Sequence, residues 1–109
     1  MTKEELIRQY EAGRRDFHGV DLAGLDLSGV DLQLVNLKGA NLEGADLSRA
    51  VMRSTYMGGA NLQDADLGSA NLQWANLEGA ILKGADLFDT DLRRALALNA
   101  NFQDRKSVV

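Results

Sequence analysis

Few residues of this sequence carry the chemistry of an active site, and no spacing brings them together. His18 is the only histidine among the 109 residues, and there is no cysteine, so the chain has neither a thiolate metal site nor a cysteine–histidine pair. Serine and aspartate are present, but no motif brackets them with His18, and there is no phosphate-binding loop. We therefore expect no catalytic residue, no metal site and no cofactor, and we expect that the protein is not an enzyme.

The charged residues are unevenly distributed along the chain. The formal net charge is −4. Residues 1–14 are balanced, residues 15–104 hold 13 acids against 7 bases, and residues 105–109 add two bases. Because a nucleic-acid-binding protein needs a basic face to neutralise phosphates, the acidic body predicts that nucleic acid is not a partner.

The sequence also predicts where the protein works. No run approaches the roughly 18 apolar residues of a membrane span. The first residues, MTKEELIRQYEAGRR, have mixed charge where a signal peptide needs an apolar segment. Together with the absence of cysteine, these features predict a cytoplasmic protein with no membrane partner.

A five-residue repeat must position all of these side chains. From Arg15 to Asp104 the sequence divides into 18 consecutive pentads without an insertion. The central residue of each pentad is apolar and most often leucine, and the residue two positions earlier is alanine in eleven pentads. Between these two stands aspartate eight times and asparagine six times, and the last residue is glycine in eight pentads.

A period of five fits neither an α-helix nor a straight strand. On a helix, five residues advance about 500°, so the leucines would spiral around the surface. On a strand, an odd period places successive leucines on opposite faces. Within one pentad, however, the alanine and leucine are two residues apart and can point the same way, and the residues that follow are turn formers. The pattern therefore predicts a coil of short extended segments and corners with one face always inward.

The pentads resemble the A(D/N)LXX signature of the pentapeptide-repeat family. The resemblance covers residues 15–104 and is plainest in the runs at 40–44, 45–49, 60–64 and 65–69. It implies an all-β solenoid, the right-handed quadrilateral β-helix, with four pentads to each coil. Eighteen pentads then give about 4.5 coils and a body about 20 Å tall.

The two ends of such a solenoid differ. Thr2 and Glu5 form a capping box, and an apolar stripe follows it, so residues 1–14 predict a capping helix over the first coil, ended by Gly13. The tail, residues 105–109, is too short for a comparable cap, and Leu96 and Leu98 are predicted to point outward beside Phe102. We expect a homodimer through this C-terminal end, the alternative being that the tail folds back over it.

Two outer surfaces are candidates for a partner. Residues 20 apart stack in the implied fold, which places four aspartates in one column: Asp26, Asp46, Asp66 and Asp86. These carboxylates either accept hydrogen bonds at the corners or form an anionic strip for a protein that normally binds DNA. The next face carries Trp74 with Leu34, Arg53, Arg93 and Arg94, where the indole either stacks on an arginine or anchors a partner.

The function predicted is a non-enzymatic protein-interaction or scaffolding module whose protein partner is unknown. The alternative, implied by the family, is a DNA-mimicking binder of DNA gyrase or topoisomerase that confers quinolone resistance. The family members with that activity are roughly twice as long and dimeric. B-DNA presents about one charge per 1.7 Å, some 12 over the predicted height, whereas residues 15–104 offer a net −6.

Overall fold

The computed structural model describes residues 1–104, which form one helix followed by a regular coil. Helix α1 spans Lys3–Glu11. In the described part of the chain, the β-structure consists of single-residue parallel bridges, each of which joins a residue to the residue 20 positions later, from Asp16 with Asn36 to Ile81 with Asn101. A separation of 20 residues places four pentads in each coil.

We name the four faces by the pentads that stack on them. Face A holds pentads 15–19, 35–39, 55–59, 75–79 and 95–99, and face B holds 20–24, 40–44, 60–64, 80–84 and 100–104. Face C holds 25–29, 45–49, 65–69 and 85–89, and face D holds 30–34, 50–54, 70–74 and 90–94. The molecule measures 36 × 22 × 21 Å, and the two nearly equal short extents agree with a four-sided cross-section.

The core is the stack of central and alanine positions. Every central residue from Phe17 to Leu87 is buried, and the alanine positions are buried from Val30 to Thr90. Two threonines occupy alanine positions, and neither hydroxyl is left unsatisfied, because Thr55 Oγ1 donates to the Met52 carbonyl and Thr90 Oγ1 donates to the Leu67 carbonyl. Because the residues that stack are 20 positions apart, each coil packs mainly on its neighbouring coils.

The aspartate or asparagine of each pentad forms its corner. In all 14 pentads that have one, the side-chain Oδ1 accepts a hydrogen bond from the backbone amide two residues later. This is the Asx turn, in which a short side chain replaces a backbone acceptor. The four pentads without it carry Val51, Tyr56, Ile81 and Leu96 at that position.

The last residue of each pentad has a left-handed backbone. All 18 of these positions have φ between 55° and 70°. Glycine adopts this conformation without steric cost, which explains why it fills eight of the 18 positions. The other ten positions hold residues with a Cβ, and among them Leu34 and Trp74 are the large apolar ones.

Helix α1 lies against the first coil. Thr2 Oγ1 accepts from the Glu5 amide and donates to the Glu5 carboxylate, each at 3.1 Å, and Leu6 is fully buried. At the other end the Gly13 amide donates to the Tyr10 carbonyl, and Gly13 has a φ of 106°. The Tyr10 hydroxyl donates to the Gln33 carbonyl at 3.0 Å, so the helix is tied to face D as well as packed on the core. No helix in residues 1–104 is long and apolar enough to cross a membrane.

Candidate interaction surface

Exposed large apolar side chains are concentrated on two adjoining faces. Five of the eight in residues 1–104 lie on faces A and D, namely Tyr56, Leu96 and Leu98 on face A and Leu34 and Trp74 on face D. Single exposed apolar residues are ordinary on a protein surface, but a group of them on adjoining faces marks a candidate contact region.

Leu34 and Trp74 stand on the same edge of the solenoid. They are the last residues of two face D pentads, and the pentads between and after them end in Ser54 and Arg94. We call these four residues the corner strip. At about 4.8 Å per coil the strip is about 14 Å long, and about 10 Å separates the levels of Leu34 and Trp74. Leu34 is 67% exposed and Trp74 is 50% exposed.

Both large residues have an unfavourable backbone conformation. Leu34 has a φ of 66° and Trp74 a φ of 65°, where a residue with a Cβ costs about 1–2 kcal/mol relative to the right-handed region. Their amides also make the two longest bonds of the corner series, 3.1 Å from Leu34 to the Arg53 carbonyl and 3.2 Å from Trp74 to the Arg93 carbonyl, against 2.8–3.0 Å at the other corners. Eight pentads have glycine at this position, which avoids the backbone cost. Fold stability therefore does not account for Leu34 or Trp74.

The two acids of face D already have partners within the face. Asp31 accepts from the side-chain amide of Gln33 at 3.1 Å. Asp91 pairs with the Arg93 guanidinium at 2.8 Å and accepts from Gln73 Nε2 at 2.7 Å. Hydrogen bonds from the Arg93 side chain, then from its backbone amide, with a further bond from Gln73, hold the pKa of Asp91 well below its ordinary value. Both carboxylates are therefore occupied by groups of their own face.

Two arginines of face D have no carboxylate partner. Within residues 1–104, neither Arg53 nor Arg94 forms an ion pair, and both are exposed. The Arg94 guanidinium lies over the indole of Trp74, 5.0 Å from the ring centroid, which is a cation–π arrangement. Face D has three bases against two acids, while faces B and C together have nine acids against two bases. The corner strip therefore lies on the one face with a positive net charge.

The column of aspartates lies on face C. Bridges join Asp26 to Asp46, Asp46 to Asp66 and Asp66 to Asp86. Each carboxylate closes its own Asx turn, and the Ser28 and Ser48 hydroxyls add bonds of 2.7 Å and 2.6 Å. The hydrogen bond from the Ser28 hydroxyl, followed by that from its amide, lowers the pKa of Asp26. These contacts give the column a structural role.

The residues of the two predicted surfaces lie on adjoining faces. Trp74, Arg53 and Arg93 lie on face D, and the four aspartates lie on face C. Leu34 and Arg94, which the sequence also assigned to this face, share the corner strip with Trp74. Each stands where other pentads have glycine.

His18 and a cleft beside helix α1 are the remaining candidate sites for a ligand. His18 Nδ1 lies 2.8 Å from the Asp16 carboxylate in solvent, and hydrogen bonds from the His18 side chain and then its amide lower the pKa of Asp16. A cleft of about 260 Å³ is lined by Ile7, Tyr10, Glu11, Val30 and Asp31. No group of three or more metal-ligating side chains is found within residues 1–104.

The C-terminal end of the described coil is open. Leu96 and Leu98 are 64% and 68% exposed, and Phe102 is only partly buried. The Leu72, Leu77 and Leu82 amides donate to the next coil, whereas those of Leu92, Ala97 and Phe102 have no such partner within residues 1–104. The predicted tail, residues 105–109, lies outside the described residues.

Comparison with known proteins places this geometry among the pentapeptide repeats. The profile "Pentapeptide repeats (8 copies)" matches residues 16–53, 47–84 and 55–94. The crystal structure of alr5209, a pentapeptide repeat protein from Nostoc Pcc 7120, is similar over 86% of this chain and 74% of its own, with 37% identity and a TM-score of 0.75.

Two further structures are more distant. Rfr23, a pentapeptide repeat protein from the cyanobacterium Cyanothece 51142, has 30% identity over 90% of this chain and 92% of its own, with a TM-score of 0.48. QnrB1, a plasmid-mediated fluoroquinolone resistance protein, has 16% identity over 80% of this chain and 60% of its own, with a TM-score of 0.33. The last two likenesses are too weak to carry an argument about function. No curated protein matches the chain.

Proposed function

This chain belongs to the pentapeptide-repeat family, and we propose that it is a non-enzymatic protein-interaction module that binds its partner through face D and the corner strip. The observation that carries the proposal is the exposure of Leu34 and Trp74 at left-handed corners. Each costs folding free energy and exposes apolar surface. Partner binding offsets both costs because it buries that surface, and tryptophan and arginine are enriched among residues that dominate binding energy.

The form of the body supports a role without catalysis. Within residues 1–104, the central side chains from Phe17 to Leu87 are buried and fill the interior of the coil. The walls present regular rows of side chains to solvent, which suits recognition of another surface. We place the protein in the cytoplasm, and as part of the same proposal we assign the coil a right-handed winding of about 4.5 turns.

The test is a comparison of two immobilised proteins. Wild type and a Leu34→Gly, Trp74→Asn double variant are each incubated with a lysate of the source organism, and the captured proteins are quantified. Asparagine and glycine both tolerate the left-handed conformation, so the variant keeps its fold. We expect at least one protein to be captured by the wild type and lost with the variant. Identical captured sets would exclude face D as the binding surface.

The aspartate column favours a second candidate function, a DNA-mimicking binder of DNA gyrase. The carboxylates of Asp26, Asp46, Asp66 and Asp86 form one row along face C, as phosphates follow one another along a strand. The charge density of the coil argues against DNA mimicry. Residues 15–104 carry a net charge of −6, whereas DNA of equal length carries about 12 negative charges. A gyrase supercoiling assay with the purified protein decides. Inhibition, or protection from a quinolone, that disappears when all four aspartates become asparagine would establish this role.

A homodimer through the C-terminal end accompanies either function. A second copy would cover Leu96 and Leu98 and pair the amides that have no partner within residues 1–104. A two-fold axis there matches each residue to its symmetry mate. It would also double the length of faces C and D.

A further inference from the structure

The charges on face D identify the chemistry of the partner that the corner strip selects. This inference rests on the interaction role proposed above and goes further by naming the ligand class. We propose that face D binds an acidic polypeptide segment that carries apolar side chains, with Leu34 and Trp74 contacting the apolar groups and with Arg53 and Arg94 contacting the carboxylates.

The charged groups of face D differ in whether they have a partner on the protein. Asp31 and Asp91 are bound by Gln33, Gln73 and Arg93 of the same face. Arg53 and Arg94 are exposed and have no carboxylate partner within residues 1–104. With three bases against two acids, face D has a net charge of +1, although the protein as a whole is acidic.

Faces B and C differ from face D in that acidic residues predominate on them. Face C has five acids against one base, and face B has four against one. An acidic ligand is repelled by these two faces and attracted by face D, so the field of the protein orients it before contact. A basic ligand would instead be drawn to faces B and C.

Face D combines its positive charge with exposed apolar area. Leu34 and Trp74 are exposed on the corner strip, and the Arg94 guanidinium already lies along the indole of Trp74. Arginine in such a position offers its outer N–H groups to a carboxylate while it remains stacked on the ring. A ligand that satisfies both groups needs an acidic and an apolar side chain within one short segment. The strip, about 14 Å long, spans about four residues of extended chain.

An anionic membrane surface shares part of this chemistry, and the charge count argues against it. Protein segments that bind anionic lipid through charge carry clusters of about 4–8 basic residues. Face D has three bases, one of which is paired with Asp91. A polypeptide that places single carboxylates opposite single arginines fits this number better.

The experiment uses labelled synthetic peptides of about seven residues and the full-length protein. The first peptide alternates aspartate with leucine. The second replaces aspartate with lysine, and the third replaces leucine with serine. Binding is measured by fluorescence anisotropy, and Trp74 fluorescence reports contact at the strip, because it is the only tryptophan in the sequence.

We expect the acidic–apolar peptide to bind about tenfold or more tightly than either of the other two, and to change the emission of Trp74. Its affinity should fall when the salt concentration rises from about 50 to about 500 mM. Arg53→Gln and Leu34→Gly should each weaken binding several-fold. Lys83→Gln on face B and Phe88→Ser on face C remove an exposed base and an exposed apolar residue elsewhere and should leave binding unchanged.

The outcomes separate this inference from the proposed function. Equal affinity for the lysine peptide, no detectable affinity for the acidic one, or loss of binding in the Lys83→Gln and Phe88→Ser controls overturns the acidic–apolar assignment. So does wild-type binding to phosphatidylserine vesicles that Leu34→Gly abolishes. If one of these results is obtained while the double variant still loses a protein from the lysate, the interaction role stands and only the ligand class is wrong.

Discussion

Arg94 lies one coil beyond Trp74 on the same edge of the solenoid, and its guanidinium carbon is 5.0 Å from the centroid of the indole ring. Both residues have left-handed backbones, with φ of 63° and 65°. A contact of this kind contributes about 0.5–1 kcal/mol at an exposed site, which is less than the backbone cost of the two corners together. The pair is therefore not explained by stability alone.

The first prediction concerns the corner at Leu34. Leu34→Gly should stabilise the protein by roughly 0.5–1 kcal/mol, because relief of the left-handed strain exceeds the entropy that glycine gains in the unfolded chain. The side chain is 67% exposed, so little packing is lost. Urea unfolding measures the change. Gly24→Leu is the matched control, since a Cβ there meets nothing within 4 Å, and it should destabilise by a similar amount. Destabilisation by Leu34→Gly would mean that the side chain supports the fold.

The second prediction separates charge from hydrogen bonding in the aspartate column. Asp66→Asn keeps an acceptor for the Gly68 amide and removes a like charge between Asp46 and Asp86. It should raise the free energy of unfolding slightly, by about 0.5 kcal/mol or less, and the gain should shrink as salt is added. Asp66→Ala removes the acceptor as well and should cost about 0.5–1.5 kcal/mol. If both variants behave alike, the Asx turn contributes nothing at this corner.

The third prediction concerns acid sensitivity at Asp91. Its pKa is lowered in the folded protein by the Arg93 side chain, so below the ordinary aspartate value of about 4 the unfolded chain binds a proton that the folded chain does not. This contribution to stability is present above about pH 4 and is lost as the pH falls further. Asp91→Asn should flatten the stability profile on this acid side, measured by thermal unfolding between about pH 2 and 6. An unchanged slope would show that the ion pair with Arg93 does not form in solution.

The fourth prediction tests the inward position of the leucine columns. Leu67 is fully buried, so Leu67→Lys places a charge in the core and should cost about 3–5 kcal/mol, enough to unfold the central coils. Gln63→Lys, on the wall of the same coil, should change stability by less than about 0.5 kcal/mol. Circular dichroism during thermal unfolding compares the two. Similar losses in both variants would contradict the assignment of inside and outside.

The fifth prediction concerns assembly. Wild type should be dimeric by light scattering at tens of micromolar, and a Leu96→Asp, Leu98→Asp variant should be monomeric, because aspartate introduces four charges at the axis of the proposed dimer. A monomeric wild type would refute the dimer. A dimeric variant would move the interface elsewhere, and face D would then be the next candidate.

The interior of the molecule could be predicted from the five-residue repeat alone. A period of five allows the same residues to face inward only in a coil, and the Asp/Asn and Gly positions mark where that coil must turn. The resemblance of the pentads to the A(D/N)LXX signature predicted the family, which the profile match confirms, and the pattern predicted which columns are buried. It worked because each pentad contacts mainly the pentads 20 residues away, so local chemistry repeats as tertiary structure.

The contacts among outer side chains became visible only in the folded structure. It showed that Arg94 lies over Trp74 on one edge of the solenoid. Within residues 1–104, Asp31 and Asp91 have partners on their own face, while Arg53 and Arg94 form no ion pair. The repeat does not restrict residues at outward positions, so periodicity gives no information about their contacts. Which outward side chains meet depends on the 20-residue register and on rotamers, and these are fixed only when neighbouring coils stack.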